Sequence, residues 1–495
     1  MKLQELASAL LITHIHGNAD TEITGIEADS RKIKPGDLFL CIPGLTVDGH
    51  AYAPKAIALG ASALVTERVL DLPVPQLVVK DARYAMAALS AHFYGYPSKE
   101  LKLIGITGTN GKTTSTYLLE KILRDQGFTT GLMGTIQMKI GETYFEMERT
   151  TQESVDLQRS FRSMCEVGTD YCIMEVSSHA LELGRVKGIH FHSGIFTNLS
   201  QDHLDYHKTM EAYAAAKGLL FSRLGNGFSG NSKDRQYAIL NADDAASAMF
   251  ERLTSAQVIT YGIEQPCDVR ATDIRITAKG TGFKLVSFAG ETIFQMKLVG
   301  KFNVYNALGS IAAALAEGIP LEAIRESLES IAVVDGRMEV VDEGQDYLVL
   351  VDYAHTPDGL ENALSTVREF AEGKVITVFG CGGDRDRTKR PMMGKVTATY
   401  SDYLYVTSDN PRTESPEAIL QDIVPGLVEV NYPENKYELI PDRKKAIQKA
   451  IDGAGPKDVI LIAGKGHETY QDIMGVKHDF DDRLVAKAAI KGRIR

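Results

Sequence analysis

The segment Gly108-Thr-Asn-Gly-Lys-Thr-Thr114 gathers glycines, a lysine and hydroxyls in the order that holds phosphate. The apolar run Leu103–Ile106 precedes it, and a helical pattern from Lys112 to about Asp125 follows, stopped at Gln126-Gly127. Gly108, Thr109, Asn110 and Gly111 would turn backbone N–H groups toward phosphate oxygens, aided by the positive end of the helix. Lys112 would reach the β- and γ-phosphates of a nucleotide, and the hydroxyl of Thr113, followed by Thr114, would ligate Mg²⁺. The strict pattern has glycine five residues before Gly111, where this chain has Ile106. The loop is therefore a variant that begins at Gly108. Such a metal needs an acidic ligand from a second strand, and Glu175, after the apolar run Tyr171–Met174, fits. By type, His203 reads as a hydrogen-bonded loop histidine, because hard cations prefer oxygen. Lys217, in Tyr213-Ala-Ala-Ala-Lys217, reads as a helix-surface lysine.

A second set of chemical residues recurs toward the end of the chain. Four β-like runs are each followed at once by a polar cluster. Tyr347–Val351 leads into Asp352-Tyr-Ala-His355, and Val375–Phe379 into Gly380-Cys-Gly-Gly-Asp-Arg385. Tyr403–Val406 leads into Thr407-Ser-Asp409-Asn410-Pro411-Arg412, and Val459–Ile462 into Ala463-Gly464-Lys-Gly-His-Glu468. In an open parallel sheet the carboxyl ends of the strands share one edge, where ligands bind.

These clusters need a scaffold. At 495 residues the chain exceeds one core and suggests about three domains. The reading is a small α/β unit at 1–98, a phosphate-binding unit with a parallel sheet at 99–330, and a second parallel α/β unit at 331–495. In the first unit Leu38–Ile42, Ala63–Thr66 and Gln76–Val79 read as strands and Pro54–Leu59 as helix. The stretch Met1–Ile15 reads as one amphipathic helix rather than a signal peptide. Further strands are expected at Tyr171–Val176 and Ile195–Thr197, and a polar loop at Leu224–Gln236. Apolar residues at 44% and charged residues at 24% exclude wholesale disorder. A net charge of −11 argues against nucleic acid as partner. The five cysteines show no CxxC spacing, and no stretch approaches a membrane span, so a cytoplasmic protein is expected.

Taken together, these residues resemble a family. Gly108–Thr113, Glu175-Val-Ser-Ser-His179, Thr197-Asn-Leu, Asp202-His203-Leu-Asp-Tyr-His207, Lys217, Phe302-Asn-Val-Tyr-Asn306, Gly336-Arg-Met-Glu339, Asp352–His355 and Gly464–Glu468 are similar, in order, to motifs of the Mur ligases of peptidoglycan synthesis. Asp29-Ser-Arg31, Thr150-Thr151, Arg385 and Asp409–Arg412 resemble the members that add the third residue to UDP-N-acetylmuramoyl-L-alanyl-D-glutamate.

The resemblance implies three α/β domains: an N-terminal UDP-sugar-binding domain, a central P-loop ATPase-like domain and a C-terminal Rossmann-like domain that binds the amino acid. It implies ATP as co-substrate, Mg²⁺, and a CO₂-derived carbamate on Lys217 that serves a second metal, with His203 now a ligand beside it. It places Asn303 and Asn306 near adenine, and Arg337 and Asp352 on ATP. It assigns Ser30, Leu45, Thr46 and Val47 to the uridine diphosphate, and Thr150, Thr151, Ser177 and Arg185 to the sugar-peptide. It assigns Arg385, Asp409, Asn410, Pro411, Arg412, Gly464 and Glu468 to the incoming amino acid. Gln152 stands where the family usually has proline, which leaves the orientation of Thr151 unfixed.

The implied chemistry is an acyl phosphate formed on the D-Glu side chain and attacked by an amine, whose proton goes to His355 or a nearby carboxylate. Asp-Asn-Pro-Arg412 resembles the motif of members that use meso-2,6-diaminopimelate, and a planar guanidinium suits the distal carboxylate that lysine lacks. The alternatives are lysine addition, a folylpolyglutamate synthase-like ligase, and a P-loop regulator without catalysis. A monomer is expected.

Overall fold

The computed structural model describes every residue except 45–46, 148, 227–234, 278 and 495. Three large sheets organise it, of five, eleven and six strands. In the first, Ala63–Thr66 and Gln76–Val79 form as expected, beside Asp37–Leu40 and the helix Ala53–Ala58. The beginning of the chain departs from expectation. Only Leu3–Ala7 is helical, and Thr13–His16 is a strand paired antiparallel with Gln76–Val79. Thr-His-Ile-His alternates with period two and offers the sheet an edge, so pairing wins over a longer helix.

The middle of the eleven-stranded sheet is parallel. Thr130–Met133, Tyr171–Glu175, Lys102–Thr107, Phe191–Phe196, Tyr237–Asn241 and Gln257–Gly262 lie side by side in that order. Antiparallel hairpins flank it on both edges. Phe191–Phe196 starts earlier than its apolar end suggested, because His192 and Ser193 are buried in it. The helix Lys112–Asp125 buries Leu118, Leu119, Ile122 and Leu123 against this sheet and the helix Lys301–Ala316. Each such side chain contributes about 1.5–3 kcal/mol when fully buried. Gly127 at φ +82 ends that helix region, as its residue type requires.

Helix Lys301–Ala316 ends on Glu317, whose side chain is 2% exposed. It accepts from Tyr171 Oη at 2.8 Å and pairs with His192 Nε2 at 2.6 Å and with Lys102. These residues stand on three neighbouring strands, so the helix end is clamped across the sheet.

In the third sheet Leu348–Asp352, Val459–Ala463, Val375–Phe379, Tyr403–Thr407 and Tyr437–Ile440 run parallel in that order. The last of these went unread, because it is a half-buried edge strand with a polar start. The carboxyl ends that carry the four polar clusters therefore share one edge. A separate two-stranded hairpin, Tyr470–Ile473 with Val476–Asp479, follows the last cluster. Among the described residues no helix is long and apolar enough to cross a membrane.

Candidate functional site

The phosphate loop leaves the strand Lys102–Thr107 and enters the helix Lys112–Asp125 with Gly111 as its N-cap. A Cβ on Gly108 would lie 1.8 Å from Thr197 Oγ1, and one on Gly111, at φ +84, would lie 2.2 Å from Asn306 Oδ1. Both positions need glycine because neighbouring elements close on the loop. Lys112 folds back, its Nζ donating to the carbonyls of Gly108 at 2.8 Å and Thr109 at 2.7 Å. Burial lowers its pKa, while Glu175 and Asp202 pull the other way. Thr109 pairs its hydroxyl with Tyr213 Oη, and Asn110 donates from Nδ2 to Asp358 Oδ2 at 2.6 Å.

Glu175 ends its strand 1% exposed and accepts from Thr113 Oγ1 at 3.0 Å, Thr135 N at 2.8 Å and Thr135 Oγ1 at 3.0 Å. Arg337 reaches in from beyond the central sheet, its Nη2 donating to Thr113 Oγ1 at 3.1 Å. Its guanidinium carbon lies 4.5 Å from the centre of the Tyr353 ring. Asp352 accepts from Met338 N at 2.7 Å and Ala354 N at 2.8 Å; burial pushes its carboxyl up and Arg337 opposes that. Asn306 lines the cleft. Asn303 does not: it donates to Val299 O at 2.9 Å and accepts from Asn306 Nδ2 at 3.2 Å, so it orients Asn306 from behind.

Lys217 is not on the surface. It is 1% exposed, its Nζ 4.3 Å from the centre of the Tyr213 ring, with no hydrogen-bond acceptor among the described residues. Burial, with Lys112 adding repulsion, drives its pKa well down. Its helix, Met210–Phe221, is apolar almost all round, so spacing alone could not tell which side faces water. His203 is half-exposed, in left-handed backbone at φ 56, beside Asp202 at 3.4 Å and edge-on to His179. Burial lowers its pKa. Lys389 approaches Asp202 at 3.7 Å from the opposite unit. His355 places Nδ1 2.8 Å from Tyr353 O, and burial lowers its pKa.

On the third-sheet edge, Asn410 Nδ2 donates to Glu468 Oε2 at 2.8 Å, and buried Lys465 binds that same oxygen at 2.8 Å. Asp409 receives Asn410 N at 2.6 Å, and a Cβ on Gly464 would lie 2.6 Å from Asp409 Oδ2. Arg412 sits at φ +51 and donates from Nη1 to Gly383 O at 2.6 Å. Arg385 donates to Asp384 O at 3.0 Å, and burial together with nearby Arg412 lowers its pKa. Neither arginine has a carboxylate partner among the described residues. A Cβ on Gly382 would lie 2.9 Å from Arg412 Nη1 and 3.9 Å from Arg385 Cγ, and its neighbour Cys381 is buried against Met393, its thiol pushed up to about 12 by burial.

Both edges face one cleft of about 720 Å³. Thr109–Thr114, Glu175, His203, Asn306, Arg337, Asp352 and His355 line it, with Thr150 and Ser177 at one side. Arg385, Asp409, Asn410, Arg412, Gly464 and Glu468 line it too. Pro411 and Gly108 are not among the residues that line it. Thr151 is buried rather than exposed to the cleft, fixed by Glu175 O at 2.9 Å and Ser177 N at 3.1 Å. Those bonds hold Thr151 without the missing proline. Arg185 turns to Glu153 at 2.9 Å and to Thr151 O. Ser30 and Val47 lie away from the cleft on the first unit, Ser30 buried and Val47 48% exposed; Leu45 and Thr46 lie outside the described residues. Sequence reading missed Asp358 and Lys389. Asp358 reads only as an acid in a helix's first turn, and nothing in the sequence marks Lys389.

Comparison with known proteins agrees with this geometry. Residues 22–94 match the model described as Mur ligase family, catalytic domain; 106–314 match the Mur ligase middle domain; 336–466 match the Mur ligase glutamate ligase domain. The chain is 52% identical over 494 residues to the UDP-N-acetylmuramoyl-L-alanyl-D-glutamate–2,6-diaminopimelate ligase of Bacillus cereus, covering 100% of this chain and 99% of the other. The ligase of the same name from Geobacillus thermodenitrificans is 50% identical, with 100% of each chain covered. A solved structure of a ligase of that name aligns at TM-score 0.69 and 32% identity, covering 100% of this chain and 99% of that one.

Proposed function

The chain belongs to the Mur ligase family, and from that premise we propose that it joins meso-2,6-diaminopimelate to the D-Glu γ-carboxylate of UDP-N-acetylmuramoyl-L-alanyl-D-glutamate, consuming ATP. One observation carries the choice of amino acid. Among the described residues Arg385 and Arg412 line the cleft without acid partners, beside Asp409, whose charge suits an ammonium, and Glu468, which Lys465 already pairs. A distal zwitterion complements that set, whereas lysine would leave the guanidinium of Arg412 unmatched.

The phosphate loop and Lys112 hold the nucleotide, with Arg337 and Asp352 closing on it from the third unit. The substrate carboxylate attacks the γ-phosphorus; the bond to the β-phosphate oxygen breaks, ADP leaves and an acyl phosphate remains. Positioning and charge neutralisation do most of this work. Nδ1 of His355 faces the carbonyl of Tyr353, which can only accept, so Nδ1 carries the proton and Nε2 is the free base. Its lowered pKa keeps it neutral near pH 7. We assign it the proton of the attacking ammonium. The amine then adds to the acyl carbon, and inorganic phosphate departs.

The donor set suits Mg²⁺ in two places. Thr113 Oγ1 and Glu175 Oε1, 3.0 Å apart, are hard oxygens beside the phosphate loop. Lys217, a buried amine with no acceptor among the described residues, would become an oxygen donor when carbamylated, near Asp202 and His203. Bound Mg²⁺ would neutralise phosphate charge. We place the sugar-peptide along Thr150 and Ser177, and the uridine diphosphate at Ser30 and Val47 of the first unit.

The test is phosphate release with ATP, the UDP-dipeptide and a panel of amino acids. Release is expected only with all three substrates, and fastest with meso-diaminopimelate. Turnover without the UDP-dipeptide, or equal rates with lysine, would sink the reading.

A further inference from the structure

The hairpin Tyr470–Asp479 belongs to none of the three large sheets. It grows directly out of the loop that carries Glu468, and it lies along the whole of the Asp409–Arg412 segment. Gln471 Nε2 donates to Asp409 O at 2.7 Å. Asp472 N donates to Asn410 Oδ1 at 2.9 Å. Arg412 N donates to Asp472 O at 3.0 Å, and Met474 N donates to Arg412 O at 2.7 Å. Gln471 and Asp472 of the hairpin's first strand, with Met474 of its turn, thus hold Asp409, Asn410 and Arg412.

Arg412 has φ +51, a conformation that a residue with a Cβ adopts only when its surroundings impose it. The surroundings here are the two backbone bonds to the hairpin. That conformation turns the guanidinium over Gly382, where a Cβ would lie 2.9 Å from Arg412 Nη1, and onto Gly383 O. A two-stranded hairpin is marginal by itself. Its order therefore depends on the segment it grips, and the segment's shape depends on it.

We propose that the hairpin Tyr470–Asp479 sets which amino acid the ligase accepts, by holding the backbone from Asp409 to Arg412 in place, with Gln471 positioning that segment through the Asp409 carbonyl. This deepens the proposed function and rests on its reading of Arg412 as a carboxylate receptor. Gln471 is absent from the cleft lining, so it acts through the Asp409 carbonyl rather than by touching substrate.

The experiment compares wild type, Gln471→Met, which keeps length and removes the donor, and Gln471→Lys, which keeps a donor. KM is measured for ATP, the UDP-dipeptide and the amino acid, along with kcat/KM for meso-diaminopimelate and L-lysine. In Gln471→Met, KM for diaminopimelate is expected to rise about tenfold and the preference over lysine to fall by at least about tenfold. KM for ATP should stay within about twofold, and Gln471→Lys should restore most of the preference. If diaminopimelate KM and preference stay within about twofold in Gln471→Met, or if all three KM values rise together, the hairpin has no such role. A wild type without preference would instead overturn the substrate assignment; KM for the amino acid it does use would still decide the hairpin's part.

Discussion

Lys217 shows what a single buried group can do. A lysine with no acceptor among the described residues, its pKa driven well down by burial, is the kind of amine that adds carbon dioxide when it sheds its proton. Native mass spectrometry at neutral pH should find the chain heavier by one carbon dioxide, lost in Lys217→Ala. That variant should be nearly inactive and partly restored by a small carboxylate in the buffer; full activity would return Lys217 to a packing role. Arg412 carries the second expectation at this scale. Arg412 is half-buried, and a charge-assisted bond to a distal carboxylate is worth about 1.5–3 kcal/mol, so wild type should favour meso-diaminopimelate over lysine by about ten- to a hundredfold in kcat/KM. Arg412→Ala should erase most of that preference, and an unchanged ratio would remove Arg412 from recognition. The residue types at both places were readable in the sequence. Their burial was not: Lys217 sits among alanines on a helix with no polar side, and nothing in the run Asp409–Arg412 announces that a distant hairpin bends it.

At the scale of elements, the helix Lys301–Ala316 carries Asn306 to the phosphate loop at one end and Glu317 at the other. Burial alone would raise the Glu317 carboxyl, but hydrogen bonds and charge from His192, with Lys102 and Tyr171, outweigh it and hold it at about 2 against a usual 4.5. The unfolded chain therefore binds the proton first as pH falls. The clamp's contribution is full above about pH 4.5 and is lost as pH falls toward 2, about 3 kcal/mol in all. Glu317→Gln should lower stability at pH 7 by a similar amount and flatten the acid limb of a denaturant-midpoint-versus-pH curve. A parallel, unflattened curve would show the clamp to be inert.

Elements were legible where pattern and punctuation agreed. Lys112–Asp125 has apolar residues at helical spacing and a Gln-Gly stop, the strand at Val459 is an unbroken apolar run, and the one at Val375 is interrupted only by Thr377. Pattern failed at Phe191–Phe196, where buried His192 and Ser193 interrupt the apolar run, and at Thr13–His16, where a partner strand outweighed local helix preference.

For the molecule as a whole, chemistry is divided between two sheet edges that meet only across the cleft. Arg337 on Thr113, Asp358 on Asn110 and Lys389 near Asp202 are the points where the third unit touches the nucleotide side. Binding of ATP between them is expected to draw the units together. A charge-assisted bond of about 1.5–3 kcal/mol predicts that Arg337→Ala lowers kcat/KM for ATP about ten- to a hundredfold. It should also weaken the nucleotide-induced contraction seen by small-angle X-ray scattering. Contraction of wild-type size in that variant would show that Arg337 takes no part in closure.

The buried thiol between the two glycines of the amino-acid edge sets how the cleft meets reactive molecules. Cys381 lies next to Gly382, over which Arg412 passes, yet at about 12 it offers no thiolate at neutral pH and no open face to attack. Alkylating warheads, peroxide and disulfide exchange should all leave this ligase unlabelled at its centre. The nucleophile that an electrophile would find lining the cleft is nitrogen, at Lys112, whose pKa burial lowers. Covalent inhibitors of this cleft should therefore carry amine-directed groups rather than thiol-directed ones.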